Sequence, residues 1–313
     1  MMPLECSWIR CHQSVDQALN EMWIAEDTRV IIQGITGSQG SYHAKIMCDD
    51  GVKVAAGVTT GKGGQIVHGI PVYDTVKEAM THHKVDMSLI MVPPSNLLQA
   101  AIEAIENHVE TLVIITEHVP VHDTMKIKAL ADRHGVRLVG PNSPGLITPG
   151  RSKVGIMPAF LYGEGGNLAI VSRSGTLSHE TASNLTFRGL GISSVLGVGG
   201  DPIVGLNFVD ALKSYLKDSH TEAVILLGEI GGRLEEEAAQ YLKSNAYPKP
   251  VFAFIAGRHA PKGKKMGHAG AIIEGGTGSA AVKIAQLAEA GVTVAESLEA
   301  LVSEVEAWYR DSK

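Results

Sequence analysis

The feature that most constrains this chain is a regular alternation between short apolar runs, closing on glycine or a turn, and longer segments of helical periodicity. TRVIIQG (28–34) is a buried strand ending at glycine, and SQGSYHAKIMCDDG (38–51) reads as a helix stopped by Gly51. Strands VKVAAGV (52–58), DMSLIMVP (86–93), TLVIIT (111–116) and VRLVG (136–140) follow, with helices at 75–83, 96–108 and 121–134. Apolar runs of this length joined through helices build parallel βαβ units. The turn-rich stretch PNSPGLITPGRSK (141–153) reads as a crossing to a second half. There the alternation restarts, with strands at 167–172, 192–199, 223–229 and 250–257. Helices are expected from about Gly175 and at 205–217, 233–244 and 279–290, and an amphipathic helix at 297–310.

Composition narrows what such an α/β scaffold does. The 313 residues suffice for two domains, and 35 glycines beside many Val, Ile and Ala suit tight turns between buried strands. A net charge of −6 offers no basic field for nucleic acid. No apolar run approaches the roughly 18 residues that span a bilayer. Cys6, Cys11 and Cys48 make no disulfide framework and point to a reducing, cytoplasmic compartment. The segment MMPLECSWIRCHQSVDQALNEMW (1–23) carries acids and no continuous apolar core, which argues against a signal or transit peptide. It reads as an added surface segment with one amphipathic helix.

Two glycine loops stand at strand-to-helix turns. GITGSQG (34–40) offers close backbone approach and free N–H groups to an anion. A nicotinamide-binding fold usually ends its second strand on an acid; here VAAGVTTGKGG carries Lys62 and no carboxylate. That disfavours an NAD-dependent dehydrogenase and suits a ligand with a diphosphate and a further phosphate, such as coenzyme A. In IVSRSGTLSHE (170–180), Ser174, Gly175 and Thr176 open a helix and can present N–H groups and hydroxyls to a compact anion. A GxSxG nucleophile elbow is absent, because the position two before Gly175, where its serine would stand, is Arg173.

His268 sits in KGKKMGHAGAI (262–272), framed by glycines and preceded by Lys262, Lys264 and Lys265. Glu229 ends the strand in LLGEIGG (226–232), at the carboxyl edge where α/β sheets place their sites. Adjacent strand tips bring the two together. Glu229 then accepts a hydrogen bond from one imidazole nitrogen and leaves the other nucleophilic. No ligand-spaced partner marks His268 as a metal site. GRHAPKGKK (257–265) fails as a Walker loop in glycine spacing and in the residue after its lysine. A phosphate-accepting histidine without a nucleotide site implies that a partner supplies the phosphoryl group.

The ordered series GITGSQG, VTTGKGG, ITEHVP, GPNSPGLITPG, IVSRSGTL, GVGGDPI, GEIGG and APKGKKMGHAGAII resembles the α subunits of succinyl-CoA synthetases and related acid–CoA ligases over about residues 28–300. The resemblance implies an N-terminal extension (1–27), a CoA-binding Rossmann-like domain (28–150) and a flavodoxin-like ligase domain (151–313), both with parallel sheets. It implies CoA contacts from Thr36, Gly37, Ser38, Gln39, Lys62, Ile115, Thr116 and Glu117. His268 is then the phosphorylated residue, Glu229 its orienting carboxylate, and Ser174, Gly175 and Thr176 the helix end that holds the phosphohistidine. The partner is an ATP-grasp β subunit carrying ATP or GTP and Mg²⁺, in an αβ or α2β2 assembly, and the substrate a small carboxylic acid. Two positions depart from the family pattern: Ser143 replaces a cysteine, and His179 replaces a substrate-side tyrosine. The second leaves the acid open between succinate and a more polar or anionic one. A citryl-CoA or malyl-CoA synthetase subunit and a non-catalytic CoA-binding regulator remain as alternatives.

Overall fold

The computed structural model describes residues 24–261, 263–273 and 278–312; the expected helix in 1–23, and Lys262, lie outside them. The first half is a seven-stranded sheet in the order β3-β4-β2-β1-β5-β6-β7. Its strands are β1 (Arg29–Gln33), β2 (Lys53–Val58), β3 (Ile66–Val67), β4 (Ile70–Tyr73), β5 (Met87–Ile90), β6 (Thr111–Ile114) and β7 (Arg137–Val139). Helices α1 (Ser38–Asp49), α2 (Val76–His82), α3 (Pro94–Glu106) and α4 (Val121–His134) connect them. β1 pairs in parallel with both β2 and β5, so the strand order reverses direction at β1. Such a reversal opens a crevice at the carboxyl ends of the strands. The turn from β1 into α1 is tight enough to require glycine: a Cβ on Gly40 would stand 2.2 Å from the Gly34 carbonyl oxygen.

The second half is another seven-stranded sheet, ordered β14-β13-β12-β10-β11-β8-β9. It comprises β8 (Gly145–Thr148), β9 (Ser152–Gly155), β10 (Leu168–Ser172), β11 (Ile192–Gly197), β12 (Ala223–Glu229), β13 (Val251–Ala256) and β14 (Thr293–Ala295). Its helices are α5 (Gly175–Phe187), α6 (Phe208–Lys217), α7 (Leu234–Asn245), α8 (Ala280–Glu289) and α9 (Leu298–Asp311). Five parallel strands run β11-β10-β12-β13-β14, the doubly wound order with its switch at β10.

Three details differ from the sequence expectation. Neither sheet is wholly parallel: β3 pairs antiparallel with β4, and β8–β9 is an antiparallel hairpin on β11. The supposed crossing at 141–153 therefore contains most of that hairpin, and the second sheet begins at Gly145 rather than after 150. Strands of two to four residues between glycine and proline carry too little pattern to be recognised. The halves are also stitched together, with Lys153 Nζ 2.5 Å from Asp50 Oδ2 and the Leu206 amide donating to the Leu138 carbonyl. Among the described residues, no helix is long and apolar enough to cross a membrane.

Candidate active site

Register brings the two key side chains together across 39 residues. β12 and β13 pair from Val224↔Val251 to Glu229↔Ala256, so Glu229 ends its strand beside the start of the loop that returns His268. That loop turns back on itself through a bond from the Ala271 amide to the His268 carbonyl and is tied to the loop after β11 by a bond from the Gly270 amide to the Gly200 carbonyl. Gly200 makes room for the ring, since a Cβ there would lie 2.4 Å from His268 Cγ.

His268 Nδ1 is 3.0 Å from Glu229 Oε1 and 2.9 Å from Oε2. The bond to Glu229 raises the imidazole above the ordinary histidine value; burial and the nearby Arg173 cation oppose it, and Asp201 adds to it. With Nδ1 committed to the carboxylate, Nε2 is the ring nitrogen left for chemistry. Asp201 is itself buried, which lifts its carboxyl, while it accepts a 3.0 Å bond from Asn142 Nδ2.

His268 lines a cavity of about 640 Å³ between the two halves. The first half contributes Gln39, Met91, Val92, Ile115, Thr116 and Glu117; the second contributes Ser174, Gly175, Thr176 and His179. Ser174 caps α5, its hydroxyl accepting the Leu177 amide at 3.4 Å, and no acid stands in the first turn. The positive end of the helix thus opens on the cavity that His268 lines. Burial pushes His179 below the ordinary histidine value, and its Nε2 is buried without a partner among the described residues. Its ring meets Tyr162 edge-on, with centroids 5.9 Å apart. Ser143, the other departure, also lines the cavity, but its hydroxyl is committed to the backbone, donating to the Gly197 carbonyl at 2.6 Å and accepting the Gly145 amide.

Some expected residues are not in this lining. Thr36 and Gly37 sit on the β1–α1 turn and Ser38 opens α1; of residues 36–39 only Gln39 reaches the cavity wall. Gly37 stands at the N-cap of α1, which has no side-chain cap and no acid in its first turn, so its first amides remain available to an anion. Lys62 is exposed on a loop whose backbone is fastened to Asp74 by bonds from the Lys62 and Gly63 amides. Sequence reasoning missed the charges packed around Glu229. Arg173, Glu235 and Lys283 are at most 2% exposed, and Arg173 Nη2 is 3.3 Å from Glu229 Oε1. The available signals were an arginine directly after a buried strand and a lysine inside the apolar helix AAVKIAQLAE.

A CoA binding domain is matched over residues 25–118 and a CoA-ligase domain over 171–299. Fold and site together thus define a CoA ligase with an acid–thiol reaction class. The chain is 53% identical to the alpha subunit 1 of succinate–CoA ligase (ADP-forming) from Archaeoglobus fulgidus, spanning 90% of this chain and 96% of that one. It is 52% identical to the corresponding alpha subunit from Methanothermobacter thermautotrophicus, over 90% of this chain and 95% of that one. The chain belongs to the family of alpha subunits of ADP-forming succinate–CoA ligases. Its fold also matches the structure of ATP citrate lyase from Methanothrix soehngenii, with a TM-score of 0.85 at 22% identity. That match covers 92% of this chain, which spans about half (50%) of the lyase chain.

Proposed function

We propose that the chain is the CoA-binding, phosphohistidine-bearing subunit of a ligase that joins a small carboxylic acid, succinate by its relatives' names, to coenzyme A. The observation that carries this is the His268–Glu229 bond on the wall of one cavity shared with the open start of α5. Glu229 accepts from Nδ1, so Nε2 presents its lone pair to a phosphoryl group. The P–N bond forms as the bond to the leaving nucleoside diphosphate breaks. A carboxylate oxygen of the acid then takes the phosphoryl group, breaking P–N and giving an acyl phosphate. The CoA thiol, losing its proton, attacks the acyl carbon, and phosphate leaves. Positioning and charge neutralisation dominate phosphoryl transfer. Amides and hydroxyls at Ser174, Gly175 and Thr176 supply the second, with a helix start worth about 0.3–2 kcal/mol to a nearby anion.

The cavity is of the size that holds cofactor-like ligands. Gln39, Ile115, Thr116 and Glu117 line its first-half side and hold CoA there, with Thr36, Gly37 and Ser38 receiving phosphate oxygens and Lys62 adding long-range charge. Residues 28–150 form the CoA-binding domain and 151–313 the ligase domain in this reading. The nucleotide, ATP or GTP with Mg²⁺, belongs to an ATP-grasp β subunit in an αβ or α2β2 assembly. His179 faces the acid. To test the carrier role, the complex is incubated with γ-labelled nucleotide. Acid-labile label is expected on wild type and absent from His268→Asn; label persisting on the variant refutes it.

A further inference from the structure

Five ionisable side chains run in series from the cavity wall into the core of the second half: His268, Glu229, Arg173, Glu235 and Lys283. Arg173 Nη2 lies 3.3 Å from Glu229 Oε1, and its Nη1 lies 3.3 Å from Glu235 Oε1. Nη1 also donates to the Gly231 carbonyl at 2.9 Å. Glu235 Oε1 accepts the Glu229 amide at 3.0 Å, so one carboxylate fastens both the backbone of Glu229 and the cation beside its side chain. Lys283 closes the series, bonded to Glu235 and to the Gly231 carbonyl at 2.6 Å.

Burying four charges is expensive, and apolar residues of similar volume usually serve stability at least as well. The series ends on a single imidazole at a cavity. The arginine fork is planar, so anchoring Nη1 on Gly231 and Glu235 dictates where Nη2 stands. Oε1 of Glu229 is held from two sides, by Nη2 and by His268 Nδ1. An ionised carboxylate only accepts hydrogen bonds. Among the described residues, Asp201 also acts on the ring, from the loop after β11, in the field of His118 and Lys265.

We propose that Arg173, clamped by Glu235 and Lys283, is the positioning residue that holds the Glu229 carboxylate in one orientation, and so sets the Nδ1–H tautomer of His268 before phosphoryl transfer. This rests on reading His268 as the carrier, but the tautomer itself is measurable without any transfer. The experiment is ¹⁵N NMR of the full-length chain labelled at histidine, across neutral pH, alongside the rate of His268 labelling from γ-labelled nucleotide in the complex. In wild type the neutral ring carries its proton on Nδ1. Arg173→Gln shifts the ring toward a mixture with Nε2–H and slows labelling on the order of 10–100-fold, the cost of removing an outer partner of a metal-bound histidine taken as a guide. Arg173→Lys restores charge without the fork and recovers part of both signals. A folded Arg173→Gln protein, with CoA binding intact, that keeps the wild-type tautomer and labels within twofold of wild type overturns the proposal. Should Arg173→Gln fail to fold, Glu235→Gln decides. It keeps an acceptor for the Glu229 amide but removes the anion anchoring Arg173; the same shift, smaller, is expected, and an unchanged tautomer overturns the clamp. A wild-type complex that never labels His268 defeats the carrier role alone and leaves the tautomer result to judge Arg173.

Discussion

Gly200→Ala isolates the dependence of His268 on its seat. The added Cβ would stand 2.4 Å from Cγ and 2.6 Å from Nδ1 of His268. Non-bonded carbons settle at about 3.5–4.0 Å, so the ring must retreat by roughly 1 Å. Nδ1 now lies 2.9–3.0 Å from the two Glu229 oxygens. A retreat of that size away from Glu229 takes it to about 4 Å, beyond hydrogen-bond reach. Misplacement of about 1 Å costs on the order of 10²-fold in rate, or about 2.7 kcal/mol of barrier. The fold suffers less. Overpacking costs about 1–3 kcal/mol, and the loss of unfolded-chain freedom at glycine returns about 0.4–1. Rapid-quench labelling of the complex with γ-labelled nucleotide measures the rate, with CoA affinity by calorimetry as control. The expected result is a rate roughly 100-fold down with CoA affinity within about twofold. A stable Gly200→Ala protein that labels at the wild-type rate would refute the reasoning that ring placement against Glu229 limits transfer.

Further expectations rest on other residues. Only the neutral His268 ring attacks, and Glu229 raises its titration, so the labelling rate should climb with pH through a midpoint above about 6.5; Glu229→Gln should lower both midpoint and plateau in a pH–rate profile. The same raised group stabilises the fold fully below the unfolded value, and that contribution is lost as pH rises through the folded one. Thermal melts across that window should show the fall in wild type and not in Glu229→Gln. His179 is neutral near pH 7 because burial lowers it. His179→Tyr should change the ratio of kcat/KM values among succinate, malate, citrate and a sulfonated acid by about 10-fold or more while leaving the KM for CoA unchanged. An unchanged acid ratio would remove His179 from the acid site. Ser174→Ala should cost about 1 kcal/mol of stability through the lost cap, read by denaturant titration, and shorten the lifetime of labelled His268.

Most of the element order was legible because apolar strands and amphipathic helices carry distinct periods over many residues. The elements from β1 through α4, and from β10 through α8, follow the alternation, the β3–β4 hairpin excepted. That hairpin, β8–β9 and β14 were not legible, since they lie at sheet edges, where pairing is decided by what lies alongside. Glu229 and His268 were legible as a pair because a strand terminus and the next strand's loop must meet at one sheet edge. Lys62 was legible only as a charge on a glycine hinge; its distance from the cavity lining depends on how Asp74 fastens that loop.

Period and spacing along one chain thus determined the two α/β halves, the glycine turns and the histidine–carboxylate pair, because each is a local pattern or a consequence of strand adjacency. Tertiary structure alone decided that Arg173, Glu235 and Lys283 converge behind Glu229. It alone decided that Gly200 seats the imidazole and that both halves wall one cavity. Those contacts join residues tens of positions apart, and buried charges find partners only where packing excludes water and leaves no other way to satisfy them.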